Sequence, residues 1–338
     1  MQGGKTPRPS GTFTYEYRFF EITARLCRAR EKEAVIMFAF LEEDGVSPEL
    51  VKELERFRRR WPAELPERIP APLFHYYGRE IWEQAAAALL CGKNLLLTGG
   101  KATGKNVLAE NLAMVFGRPA WNVSFHVNTD AASLVGMDTF TDGQVQFRPG
   151  PIHQCARHGG FGILDEINMA KNEALAVLHS ALDFRRVLDV PGYERVPMSP
   201  ATRFIAAMNY GYAGTRELNE ALASRFVVIQ MPTIRPENLD RLLLRHYPGL
   251  RKKYRQQFGQ LFFDLQKKCE SSELSTKALD LRGLLDALDL MNAGVPSGPA
   301  LDMGITNKTF DRYEQGLIRD VMAARVSPKL TRAELFDQ

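Results

Sequence analysis

The stretch that most constrains this chain is "NLLLTGGKATGKNVLAENLA", residues 94–113, where an apolar run passes through a glycine-rich turn into an amphipathic segment. Asn94–Thr98 reads as a strand buried on both faces, the habit of a parallel sheet. Gly99, four residues, Gly104 and Lys105 then follow in the spacing G-x-x-x-x-G-K. That string arises by chance on the order of 0.1 times in a chain of this length, so its strand–loop–helix setting carries the inference. Glycines let the backbone curl until successive N–H groups face inward, and the helix that follows presents its positive end. Gly99, Gly100, Lys101, Ala102, Thr103, Gly104 and Lys105 thus form a cradle for phosphate oxygens, with the lysine as a point charge for the β- and γ-phosphates. The next position ordinarily carries a hydroxyl that ligates Mg²⁺. Here it is Asn106, whose amide oxygen is an acceptable hard ligand on a longer arm.

Strands and helices alternate from Leu95 onward: "NLLLT", a helix over 105–116, "AWNVSFHV", "GFGILD", a helix over 171–182, "RFIAAM", a short helix over 217–223, and "FVVIQM". The pattern predicts an α/β fold, a parallel sheet with helices on both faces. Beyond "MPTIRPENLD" the spacing is helical again. Residues 15–60 predict two helices, the second with Ser47 as N-cap and Pro48 at N1, and with Arg58–Arg60 as a solvated end. The four prolines of "WPAELPERIPAPL" read as a linker. "MDTFTDGQVQFRPG" and "RVLDVPGYERVPM", the latter turning at Pro191-Gly192, read as hairpins. The expected division is 1–70 as a helical extension and linker, 71–232 as the α/β domain, and 233–338 as an all-α lid.

Two further elements sharpen the chemistry. "GGFGILDEIN" places Asp165 and Glu166 at the C-terminal end of a strand about 60 residues past the phosphate loop. The first carboxylate can reach a Mg²⁺ shell beside that loop, and the second can orient or deprotonate a water. "RFIAAMNYGYAGTRELNEALASRF" puts Asn209 at a strand tip, facing the γ-phosphate position, and Arg225 just before the last strand, in the place of an arginine finger reaching a neighbouring subunit.

Together, the loop at 99–106, "ILDEIN", "MNYGYAGTRELNEALASRF" and the intervening "TDAASLVGMDTFTDGQVQFRPGPIHQCARHGG" resemble the AAA+ ATPases, in particular their MoxR-like and dynein/midasin-related branch. The resemblance spans roughly residues 75–330. It implies a P-loop fold with five parallel strands in the order 5-1-4-3-2, followed by a helical lid, and ATP with Mg²⁺ as cofactors. It also implies roles: Lys105 on the β/γ-phosphates, Asp165 on the metal, Glu166 as catalytic base, Asn209 as sensor 1, Arg225 as the finger in trans and Arg282 as the sensor 2 residue of the lid. A homo-oligomeric ring, a hexamer, follows from the same likeness.

Composition bounds the rest. A formal net charge of +4 over 338 residues, with no recognisable DNA-binding module, weighs against a nucleic-acid motor. Cys27, Cys91, Cys155 and Cys269 show no metal-ligand spacing. The opening "MQGGKTPRPS" lacks a signal-peptide core, and no apolar run is long enough to span a bilayer, so a soluble, cytoplasmic protein without membrane insertion is expected. The favoured function is ATP-driven remodelling of a protein client, commonly with a von Willebrand A-domain partner in this family. A restriction-type nucleic-acid motor and a nucleotide switch without turnover are the alternatives. Phe140 and Phe147 are candidate client contacts.

Overall fold

The structure, a computed structural model, describes residues 38–190, 192–193, 195–209 and 216–337. The expected helix near residues 15–30, Pro191 and Cys27 lie outside the described residues. A helical stretch at 38–43 leads into α1 (Pro48–Arg60) and α2 (Arg79–Leu90), with only a short 3₁₀ turn, Pro66–Arg68, in the proline-rich segment between them. Then come β1 (Asn94–Thr98), α3 (Lys105–Phe116), β2 (Ala120–Ser124), α4 (Ala131–Val135), β3 (Gly136–Thr141), β4 (Gln144–Pro149), α5 (Pro151–His158) and β5 (Phe161–Asp165). Two single turns, α6 (Asn172–Leu175) and α7 (Leu178–Ala181), replace the continuous helix expected over 171–182. The chain continues through β6 (Val187–Leu188), β7 (Val196–Pro197), β8 (Arg203–Met208), α8 (Glu220–Ala223) and β9 (Phe226–Gln230).

The main sheet has five strands in the order β2-β5-β8-β1-β9, all parallel. Numbered among themselves, these strands run 2-3-4-1-5, which is the expected order read from the other edge. Burial follows position in the sheet. β1, β5 and β8 lie inside it and are apolar along nearly their whole length, whereas edge strands β2 and β9 alternate or expose their middles. One face, with Leu95, Leu97, Ile163 and Ile205, is covered by α2 and α3, and α1 packs behind them. The other, with Leu96, Leu164, Phe204 and Ala206, is covered by α5 and the α6–α7 turns.

Ser47 stands before α1 but gives its hydroxyl to Glu49 rather than capping a backbone N–H. Nor is Arg58 solvated as expected. It donates to the carbonyls of Met114 (2.7 Å) and Val115 (3.2 Å) at the end of α3, where the helix dipole favours a cation. Arg203 does the same for α2 through Leu89 (2.7 Å). Both hairpins form, as β3–β4 and β6–β7. Phe147 packs between Tyr193 of the second hairpin and His153 of α5, so it anchors its hairpin to its neighbours, whereas Phe140 is 76% exposed opposite Val145.

After β9 the chain is helical: α9 (Pro236–His246), α10 (Lys252–Glu270), α11 (Leu281–Asn292), α12 (Ser297–Gly304), α13 (Arg312–Arg325) and α14 (Arg332–Leu335). These helices bury their own core around Leu243, Phe258, Leu288 and Ile318, which Tyr77, just before α2, joins. Helices α11 and α12 meet at two glycines. A Cβ on Gly283 would stand 2.0 Å from the Gly304 carbonyl oxygen, and one on Gly304 would stand 2.2 Å from that of Gly283. Backbone cannot yield as a flexible side chain can, so Gly283→Ala should cost about 1–3 kcal/mol through overpacking. The check is thermal unfolding: Tm should fall clearly, and an unchanged Tm would mean that the helices separate freely.

Candidate functional site

The phosphate loop joins the C-terminal end of β1 to the start of α3. Ala102 (φ 60°) and Gly104 (φ 79°) take left-handed conformations that turn the chain back into the helix. Gly104 has a second constraint, because a Cβ there would meet the Tyr76 ring at 3.0 Å. Lys105 is buried beneath the loop it belongs to. Its Nζ donates to the carbonyls of Gly100 (2.7 Å) and Gly99 (3.1 Å) and to Thr103 Oγ1 (3.3 Å). Burial lowers its pKa from the usual lysine range to about 8, with Asp165 pulling the other way.

Asp165 ends β5 in register with neighbouring β2, and β5 is in turn paired with β8, so it stands on the same edge of the sheet as the loop. Asn106 Nδ2 donates to Asp165 Oδ2 at 2.6 Å across 59 positions of sequence. The two residues therefore pair directly, which leaves carboxylate and amide oxygens as hard donors suited to a divalent cation. Among the described residues no group of three His, Cys, Asp or Glu side chains could hold a metal alone. Glu166 follows with φ 53°, an uncommon conformation for a non-glycine residue, and is exposed on the cleft wall. Asn209 also lines the cleft, and its carbonyl accepts from Asn168 Nδ2 at 2.7 Å. Asn168 thereby ties the tip of β8 to the turn after β5.

The cleft has a volume of about 1380 Å³. Of the residues singled out in the sequence, Lys101 through Asn106, Asp165, Glu166, Asn209 and Arg282 line it. Gly99 and Gly100 face the lysine from the loop, and Arg282 reaches the cleft from the first turn of α11. Arg225 does not line the cleft. It sits after α8, half-buried, with Nη1 donating to the Ala221 carbonyl and Nη2 3.9 Å from Asp183 Oδ2, while its buried Nε has no hydrogen-bond partner. Of the residues singled out for the nucleotide site, the structure thus brings together all but Arg225.

One wall of the cleft escaped the sequence reading, which took residues 61–73 as a linker and passed over "FHYYG". Phe74–Gly78 runs along the cleft with its backbone held by side chains. Asn111 bonds both Phe74 O (2.8 Å) and Tyr76 N (3.1 Å), Trp82 Nε1 donates to Tyr76 O (2.9 Å), and Asn238 donates to Tyr77 O (3.1 Å). The signal available was an aromatic cluster ending in glycine just before a helix that leads to the phosphate-loop strand.

Comparison with known proteins agrees with this geometry. Residues 94–226 match the family described as AAA domain (dynein-related subfamily). The chain is 37% identical over 242 residues to the uncharacterized protein YojN of Bacillus subtilis, covering 70% of this chain and 79% of that one. It is 34% identical over 248 residues to the uncharacterized protein SH1500 of Staphylococcus haemolyticus (72% and 94% covered). It is also 35% identical over 254 residues to the uncharacterized protein SAB1265c of Staphylococcus aureus (73% and 96% covered). The chain belongs to the AAA+ ATPases, with an AAA domain of the dynein-related subfamily. Among the described residues no helix is long and apolar enough to cross a membrane.

The buried lysine gives nucleotide binding a pH dependence. In the nucleotide-free chain Lys105 loses its charge near pH 8, whereas bound phosphates would hold it protonated. Above about pH 8 binding therefore takes up a proton, and affinity should fall by about tenfold per pH unit. Titrating ATP or ADP binding from about pH 7 to about 9.5 tests this, with Lys105→Ala expected to abolish binding throughout. Affinity that stays flat across the range would mean that Lys105 keeps its charge without nucleotide, and retained binding in Lys105→Ala would remove the lysine from the phosphate site.

Proposed function

We propose that this chain is an ATP-hydrolysing motor of the MoxR-like kind, which assembles into a ring, a hexamer, and remodels a protein client. The observation that carries the reading is an asymmetry. Lys105, Asp165, Glu166, Asn209 and Arg282 share one cleft, while Arg225 stands outside it, near the surface. A finger that cannot serve its own site is placed to serve a neighbour's.

In this reading the loop amides and Lys105 bind the β- and γ-phosphates and neutralise their charge. A bound Mg²⁺ would supply electrostatic stabilisation of the charge that develops on the phosphates. Asp165 and the amide oxygen of Asn106 would hold it, and the Asn106–Asp165 hydrogen bond does the positioning that a hydroxyl ordinarily does. Glu166 orients the attacking water and accepts its proton. Asn209, fixed by Asn168, contacts the γ-phosphate from the strand tip, and Arg282 contacts the nucleotide from the lid. The β3–β4 hairpin offers exposed Phe140 and Val145 as an apolar tip for a client. A von Willebrand A-domain protein is the proposed partner. The small net charge supports a protein client over nucleic acid.

Three variants test the reading. Glu166→Gln should bind ATP and retain it unhydrolysed; normal turnover would move the base elsewhere. Arg225→Ala should bind normally but lose about 10³–10⁵ in turnover. Excess Glu166→Gln subunits should restore some of that loss, by placing an intact arginine beside an intact Glu166. No recovery at any mixing ratio would make the arginine a cis or structural residue. Asn106→Leu should raise the magnesium requirement while Asn106→Thr keeps or increases activity, both read by phosphate release across a magnesium titration. Identical curves for wild type and Asn106→Leu would remove Asn106 from the metal site, and bound ATP without phosphate release in wild type would make the chain a switch.

A further inference from the structure

The helical stretch at 38–43 and the turn that ends it lie outside the matched AAA region, yet they reach the nucleotide cleft. Asp44, whose side chain is only 5% exposed, carries the contact. Its Oδ2 accepts the backbone N–H of Gly78 at 2.8 Å, and its Oδ1 pairs with Nη1 of Arg241 on α9. The Arg241 guanidinium in turn lies over the Tyr77 ring, 4.6 Å from its centre. One carboxylate thus joins three parts of the chain: the extension, the cleft wall Phe74–Gly78, and the first helix after the sheet.

The same three parts touch at two further places. His75 packs on Phe40 of the extension (ring centres 4.2 Å apart), and Phe74 packs on His246 of α9 (4.3 Å). The wall is therefore gripped from the extension on one side and from the helical unit on the other. Asp44 bonds both the wall and α9. Being nearly buried, its bonds are charge-assisted and worth more than surface pairs, and removing either partner leaves a charge poorly satisfied.

We infer that Asp44 is a positioning residue of the nucleotide site, which sets nucleotide affinity by fixing the cleft wall to α9 through Gly78 and Arg241. The extension is then part of the nucleotide-binding unit rather than an appendage to it. Nucleotide must fit between a wall and a helical unit whose separation Asp44 holds. When that strut is cut, wall and α9 keep only the Asn238–Tyr77 bond and the Phe74–His246 contact, and ordering the site draws more on binding energy. The inference rests on the nucleotide reading of the cleft for its affinity readout, but not for its structural one.

The test compares wild type with Asp44→Asn, Arg241→Gln and the double variant, using the full chain. Asp44→Asn keeps an oxygen for the Gly78 N–H but loses the ion pair, and Arg241→Gln loses the pair from the other side. ADP affinity is measured by calorimetry, and backbone hydrogen exchange is measured without nucleotide. Each single variant should weaken ADP binding by about tenfold, the scale of one charge-assisted bond. The double variant should be no weaker than either single one, because both cut the same strut. Exchange should quicken in residues 74–78 and 236–246 but not in the sheet strands. Wild-type affinity and wild-type exchange in the variants would overturn the inference. So would a lowered Tm with exchange raised evenly throughout, since that marks a merely structural pair. If wild type itself binds no ADP, the nucleotide reading fails, and the exchange pattern alone decides whether Asp44 holds wall and helix together.

Discussion

The site depends on parallel strand pairing in one register. β1 runs beside β8 with Thr98 opposite Met208, and β2 runs beside β5 with Ser124 opposite Asp165. Because all five strands point the same way, their C-terminal ends share one edge, where chain crossovers leave a crevice. The phosphate loop leaves β1 there, Asp165 and Glu166 leave β5, and Asn209 leaves β8. A one-residue slip in any pair would turn the functional side chain to the opposite face of the sheet. The apolar residues that fix the register, such as Leu96, Leu164 and Ala206 on one face and Leu95, Leu97 and Ile205 on the other, are therefore what hold the chemistry in place.

On that scaffold the electrostatics are arranged around missing phosphate charge. Lys105 is held by loop carbonyls and not by a carboxylate salt bridge, and its burial already disfavours the charged form. A polyanion in the cleft would relieve that cost. Asp165 accepts a hydrogen bond from the Asn106 amide. In the proposed function, phosphate would satisfy the lysine and a divalent cation the carboxylate.

Much of this was legible in the sequence, for definite reasons. "NLLLTGGKATGKN" and "GFGILDEIN" combine apolar runs with glycine and charge at fixed spacing, so both strand and function show locally. Long-range features were not legible. Asp44, Gly78 and Arg241 are separated by 34 positions and then by many more, and nothing local marks them as partners. Arg58 looked like one of three solvated cations because its target, the end of α3, is brought near only by tertiary packing. The expected helix over 171–182 forms as two single turns, although Ala176 and Val177 between them keep helical backbone angles, so the helical spacing was legible and only its regularity was not. Phe147 looked equal to Phe140 until the second hairpin supplied Tyr193 for it to pack against.

The central claim is that one chain holds a cleft complete except for its arginine. Turnover per subunit should then depend on assembly. The direct measurement is phosphate release by wild-type protein over a wide dilution series at saturating ATP and magnesium, with oligomer mass followed at each concentration. Activity per subunit should be near zero where the chain is monomeric and should rise to a plateau as rings form. Full activity per subunit from the monomer upward would contradict the account, because a single chain would then supply every group the reaction needs.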